Sequence, residues 1–172
     1  MSRLVLVTGG SRSGKSSYAL HLAAPYAHKV FIATAEPTDP EMASRIARHQ
    51  LERDPSFTLI EEPLDPAAAL RAMPANTSVA LIDCITVWLG NLFYRKRISN
   101  ESSGEIDDFL EQLQAPPCHL IVVTNEVGMG IVPADRKTRE FRDLAGKINQ
   151  HLARCAQEVF FLVSGIPVRL KW

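Results

Sequence analysis

The chain has 172 residues, which fits one domain of ordinary size and leaves little room for two. Apolar residues make up 46% and charged residues 22%, the balance of a globular protein with a core large enough for a full sheet covered by helices. Nineteen basic and nineteen acidic residues cancel, so no global field argues for nucleic acid or an anionic membrane, and any anion site must be local.

The first element is an apolar run, Leu4–Thr8, too short for a signal peptide and read as a strand. It runs into Gly9-Gly10-Ser11-Arg12-Ser13-Gly14-Lys15-Ser16, which satisfies G-x-x-x-x-G-K-[ST] and opens a predicted helix, Lys15–Pro25. Strand before and helix after is the context in which this pattern forms a phosphate-binding P-loop. Its glycines allow successive N–H groups to wrap a phosphate, and the helix N-terminus adds partial positive charge. Lys15 is expected to reach the β- and γ-phosphates of a nucleoside triphosphate, and the Ser16 hydroxyl to coordinate Mg²⁺.

A second strand, Val30–Thr34, is followed by a helix pattern over Pro40–Arg53, with Asp39 suited to cap it and Pro40 to its first position. His49 lies in that pattern, on the face shared by Met42 and Ile46. Two readings are open on position alone. It packs on the sheet as a half-buried side chain, or its neutral imidazole serves as a nucleophile toward phosphorus. Arg45, Arg48 and Arg53 either screen phosphate charge or form a solvated face.

Phe57–Ile60 is a weaker strand candidate, and Asp65–Met73 a helix. Val79–Asp83 is four apolar residues ending in a carboxylate, the Walker-B pattern, which makes Asp83 the second candidate Mg²⁺ group at a neighbouring strand end. Helices follow at Thr86–Arg95 and Ser103–Gln114, separated by a loop at Ile98–Glu105. The strand Leu120–Thr124 leads into a glycine- and proline-bearing loop, Asn125 to Pro133, at the edge where open α/β sheets bind ligands. The basic stretch Arg136–Arg142 either clamps a phosphorylated substrate or is solvated surface. A helix at Thr138–Gln157, a strand at Val159–Ser164 and an antiparallel edge at Val168–Lys171 complete the chain.

The strands lack polar alternation, which marks strands buried on both faces of a parallel sheet. Their alternation with helices implies a three-layer α/β sandwich of P-loop NTPase type. Cys84, Cys118 and Cys155 have no CxxC spacing and read as reduced, buried thiols. No run approaches the roughly 20 apolar residues of a membrane span, and the expected location is cytoplasmic.

Val7 to Ser16, Ile32-Ala33-Thr34-Ala35, Arg45-Ile46-Ala47-Arg48-His49, Asp83-Cys84-Ile85-Thr86 and Thr124 to Pro133 together resemble the bifunctional adenosylcobinamide kinase/adenosylcobinamide-phosphate guanylyltransferase family. Phe141 to Gln150 and Val163 to Pro167 resemble its C-terminal segments. The resemblance implies phosphorylation of adenosylcobinamide by ATP or GTP. It also implies transfer of GMP from GTP, through a guanylyl-histidine on His49, to adenosylcobinamide phosphate in cobalamin biosynthesis. It implies nucleotide contacts from Gly9 to Ser16, from Thr34, Ala35 and Glu36, from Gln50, Leu51, Glu52 and Arg53, and from Glu61 and Asp83. It further implies Mg²⁺ and a homotrimer.

Three rivals remain. A monofunctional P-loop small-molecule kinase would leave His49 structural. A GTP-binding switch needs Asn-Lys-x-Asp, whereas Asn125 is followed by Glu126. A RecA-like motor or nucleic-acid protein sits poorly with the neutral charge balance.

Overall fold

Apolar runs without alternation bury both faces, and the chain meets that demand with one seven-stranded sheet. The computed structural model describes residues 2–38, 40, 41, 43, 44, 46, 47, 55–95, 97, 98 and 102–172. The strands are β1 (Leu4–Gly9), β2 (Lys29–Ala33), β3 (Phe57–Glu61), β4 (Val79–Asp83), β5 (His119–Val123), β6 (Glu158–Val163) and β7 (Ile166–Lys171), in spatial order β3-β2-β4-β5-β1-β6-β7. Every neighbouring pair is parallel except β6–β7. The expected antiparallel C-terminal edge is present and two residues longer than its predicted span. Pro167 is tolerated there because an edge strand has one side free of ladder bonds.

The helices are α1 (Lys15–Ala23), α2 (Pro66–Ala72), α3 (Ile85–Tyr94), α4 (Gly104–Gln112) and α5 (Arg136–Cys155). Residues 40, 41, 43, 44, 46 and 47 are also helical, and the Ser44 hydroxyl donates to the Pro40 carbonyl at 2.9 Å. Asp39, Arg45, Arg48, His49 and Gln50 to Arg53 lie outside the described residues.

Side-chain caps set several helix starts. Asp65 accepts from the Ala68 amide, Ser103 from that of Ile106, and Asp135 from that of Thr138. The Asp135 cap starts α5 at Arg136, two residues before the predicted Thr138.

The sheet splits the core in two. On one face α1 lays Ala19 and Ala23 against Val7, Leu81, Ile121 and Val123. On the other, Leu6, Ile82 and Val122 pack against Trp88, Phe109, Leu144 and Leu152 from α3, α4 and α5. Trp88 is fully buried, and its indole N–H donates to the Leu64 carbonyl at 2.8 Å, as a buried polar tip requires. This gives helices on both faces of a mostly parallel sheet, the architecture the sequence implies.

Candidate active site

The segment after β1 turns back on itself and enters α1. Gly9 and Gly14 have φ of +150° and +92°, and Arg12 is also left-handed at +55°. A side chain at Gly9 would place its Cβ 2.6 Å from the Leu162 carbonyl oxygen, so only glycine fits where the loop leaves the sheet. Lys15 is 6% exposed and its ammonium donates to the Gly10 carbonyl and to the Ser13 hydroxyl. The ammonium is therefore held against oxygens of the loop's own residues.

Register aligns the other candidates in a row across the carboxyl edge of the sheet. Glu61 pairs with Ala33, Ala33 with Asp83, Asp83 with Val123, and Val123 with Val7. Strands about 4.8 Å apart put Asp83 roughly 10 Å and Glu61 roughly 19 Å along that row from Val7. Asp83 was expected on a strand neighbouring β1, but β5 lies between them. The separation is bridged by α1, which packs across β1, β5 and β4. Val79 and Leu81 belong to the α1-side core, so alternation turns the Asp83 carboxylate to the same face as the P-loop helix. Among the described residues its Oδ2 is buried with no hydrogen-bond partner, an acceptor that a cation would satisfy.

Thr34 is fully buried and locked to the residue after Asp83. Its hydroxyl donates to the Cys84 carbonyl at 2.8 Å and accepts from the Cys84 amide at 2.9 Å. Asn91 of α3 donates to the carbonyls of Thr34 and Pro63 at 2.8 and 3.0 Å, tying the exits of β2 and β3 together. One turn further on, Arg95 holds the Glu36 carboxylate at 2.6 and 2.7 Å. Asn91 and Arg95 escaped the sequence reading, because nothing in a helix pattern says which loop an outward amide will meet.

The loop after β5 is fixed by a buried polar chain. The Thr86 and Thr124 hydroxyls are 3.1 Å apart, Thr124 donates to Asn149 Oδ1 at 2.8 Å, and Asn149 Nδ2 donates to the Asn125 carbonyl at 3.0 Å. The Glu126 amide then donates to the Gly9 carbonyl at 2.9 Å, joining this loop to the P-loop. Within the basic stretch, Arg136 and Lys137 are exposed, as the solvated-surface reading expects, and Arg136 forms an ion pair with Glu140. Arg139 donates to the carbonyls of Pro133 and Ala134, and Arg142 to that of Gly128. Two of its arginines are spent on the shape of the loop.

Cys84 and Cys118 are buried thiols as expected, while Cys155 is half-buried. Burial pushes the Cys118 thiol up from its ordinary pKa. No group of three or more metal-ligating side chains occurs among the described residues.

A family model described as cobinamide kinase / cobinamide phosphate guanyltransferase matches residues 5–170. The chain is 37% identical to the bifunctional adenosylcobalamin biosynthesis protein CobU of Escherichia coli, over 98% of this chain and 99% of that protein. It is 41% identical to the bifunctional adenosylcobalamin biosynthesis protein CobP of Pseudomonas aeruginosa, over 96% of each. The chain belongs to this cobinamide kinase / cobinamide phosphate guanyltransferase family.

The P-loop, the row from Glu61 to Val7 and the Asn125–Pro133 loop all fall inside the segment matched by that family. Two solved structures are similar at the level of fold alone. The RadB recombinase gives a TM-score of 0.52 at 17% identity, over 92% of this chain and 73% of that one. An ATPase from a bacterial type III secretion system gives 0.58 at 9% identity, over 94% of this chain and 51% of that one. Among the described residues no helix is long and apolar enough to cross a membrane.

Proposed function

We propose that this protein carries out two consecutive transfers to one corrinoid acceptor. In the first, the hydroxyl oxygen of adenosylcobinamide bonds to the γ-phosphorus of ATP or GTP as the bond to the β–γ bridging oxygen breaks, the nucleoside diphosphate leaves and the hydroxyl proton is released. In the second, an imidazole nitrogen of His49 bonds to the α-phosphorus of GTP as the bond to the bridging oxygen breaks and pyrophosphate leaves. A phosphate oxygen of adenosylcobinamide phosphate then displaces the histidine, giving adenosylcobinamide-GDP in cobalamin biosynthesis. Covalent catalysis of this kind divides one hard displacement into two easier ones.

The observation that carries the reading is a family match over residues 5–170 in a chain whose G-x-x-x-x-G-K-S segment forms a turn with Lys15 inside it. Lys15 and the loop amides would stabilise the charge that develops on the phosphoryl oxygens. The buried Asp83 oxygen supports a Mg²⁺ site to which Asp83 and the Ser16 hydroxyl would contribute, and the ion would neutralise phosphate charge. Thr34 to Glu36, Gln50 to Arg53 and Glu61 would hold the rest of the nucleotide. The assembly and location that go with this reading are a homotrimer in the cytoplasm, as the family resemblance implies.

Incubation with GTP labelled at the α-phosphate tests the second transfer. Wild type should acquire an acid-labile, base-stable label that His49→Ala lacks, while phosphoryl transfer to the corrinoid survives in that variant. Lys15→Ala should lose both. A wild-type protein that never takes the label while still phosphorylating the corrinoid is a monofunctional kinase.

A further inference from the structure

We infer that the loop after β5, together with a recess on the adjoining face of α5, is the seat of the corrinoid acceptor. This rests on the corrinoid reading given above and names where that substrate binds.

The loop is held at many points along its backbone. Asn149 holds the Asn125 carbonyl, the Glu126 carboxylate accepts from the Gly128 amide at 3.1 Å, Arg142 holds the Gly128 carbonyl at 2.7 Å, and Arg139 holds those of Pro133 and Ala134. A backbone fixed in this way nevertheless presents Met129, Ile131 and Val132 to solvent, at 76%, 96% and 63% exposure. Three large apolar side chains on a water-facing stretch anchored at both ends form an exposed contact surface. Ordering such a loop in advance lowers the entropic cost of binding whatever covers it.

Beside it lies a recess of about 390 Å³, lined by Gly128, Arg142, Asp143, Gly146, Lys147 and Gln150. Gly146 keeps its floor open, since a Cβ built there would meet nothing within 4 Å. The lining mixes donors and acceptors. Arg142 is already engaged with Gly128, and Asp143 sets a carboxylate beside the two cations, so the recess is not a bare cation trap for phosphate. That balance suits a neutral, amide-rich ligand.

A corrinoid has that chemistry, with methyl groups over the faces of a broad ring and primary amides on arms around its rim. The ring would lie on Met129, Ile131 and Val132, and an amide arm would enter the recess. The seat is continuous with the phosphate site. The recess starts at Gly128, two residues beyond the Glu126–Gly9 hydrogen bond, so a bound acceptor would extend toward Lys15 from the β5 side.

Equilibrium binding of dicyanocobinamide, followed by its own absorbance in ultrafiltration, tests the inference without any turnover. Ile131→Asn removes apolar contact at a fully exposed position, and Gly146→Leu fills the recess with a residue that favours helix over glycine. Each should weaken cobinamide binding by about tenfold or more, the scale of one lost aliphatic contact. The melting temperature should be unchanged in Ile131→Asn and equal or higher in Gly146→Leu.

Wild-type affinity in both variants overturns the inference, as does a wild-type protein that binds no cobinamide. Unchanged affinity with a smaller particle in light scattering for Ile131→Asn would instead mark the loop as a contact between copies of the chain. If wild type binds cobinamide and both variants do not, yet no transfer occurs, the seat stands and the activity proposed above fails.

Discussion

The Gly165 amide donates to the Ser13 carbonyl across 3.0 Å, so the turn between β6 and β7 braces the P-loop from the side. The contact is close: a Cβ on Gly14 would lie 3.2 Å from Gly165 Cα, and one on Gly9 would lie 2.6 Å from the Leu162 oxygen. Both neighbours are backbone and cannot rotate away. Gly9→Ala, at φ +150°, should therefore cost about 1–3 kcal/mol and lower the melting temperature by roughly 2–4 °C per kcal/mol. Gly10→Ala, where a Cβ has open space, should melt with wild type. Equal melting temperatures for the two variants would mean that neither the Leu162 contact nor the backbone angle at Gly9 constrains the loop.

Asp83→Asn separates the charge of that side chain from its shape. A buried carboxylate oxygen without a partner costs desolvation, so the amide should leave the melting temperature equal or raise it. If the same oxygen holds Mg²⁺, the half-saturating Mg²⁺ concentration for phosphoryl transfer should rise by at least about tenfold. Nucleotide binding measured without divalent cation should be little affected. A Mg²⁺ titration that superposes on wild type would confine Asp83 to a structural role.

Asn149→Ala should destabilise by about 1–3 kcal/mol, because it removes the donor to the Asn125 carbonyl and leaves the Thr124 hydroxyl with Thr86 alone, in a site only 8% exposed at Asn149. The loss should also be local. Amide exchange at residues 125–128 should accelerate more than in the core of β4, since Asn149 anchors that loop to α5. Asn149→Asp keeps the acceptor for Thr124 but loses the donor to Asn125, so it should reproduce the loosened loop. Uniform acceleration across the sheet would mean that Asn149 supports the core generally and not the loop.

What could be read from the sequence follows from what is local. Val79 to Asp83 shows no alternation because β4 has neighbours on both edges and helices over both faces, and the P-loop pattern names its own strand and helix. Asp135 followed by Thr138 is a local cap signal that would have moved the α5 start to its observed place. The strand order was beyond such signals. That β5 intrudes between β1 and β4 is decided by crossovers far longer than any periodic window, and so Asp83 sits one strand further from the P-loop strand than expected. Gly165 on Ser13, Asn91 on Thr34 and Arg142 on Gly128 are likewise through-space pairings. The sequence displays those residues but says nothing of whom they meet.

The cap of α5 ties stability to pH. The Thr138 amide and hydroxyl donate to Asp135 at 2.8 and 2.9 Å, and these bonds hold its carboxyl below the ordinary 3.8. A carboxyl whose pKa is lower in the folded state stabilises the protein above its unfolded pKa, and that contribution is lost as pH falls through the folded value. Asp135→Ala should therefore melt below wild type at pH 7, with the gap narrowing as pH drops below about 4. Asp135→Asn, which keeps an acceptor without a charge, should fall between them at pH 7 and show little pH dependence of its own. The first turn of α5 also positions Arg139 on the Pro133 and Ala134 carbonyls, so fraying it loosens the loop bearing Ile131 and Val132. Cobinamide affinity in Asp135→Ala should fall with the melting temperature at pH 7. A gap in melting temperature that stays constant from pH 7 to pH 3 would mean that the loss in Asp135→Ala is one of packing, unrelated to the capping charge.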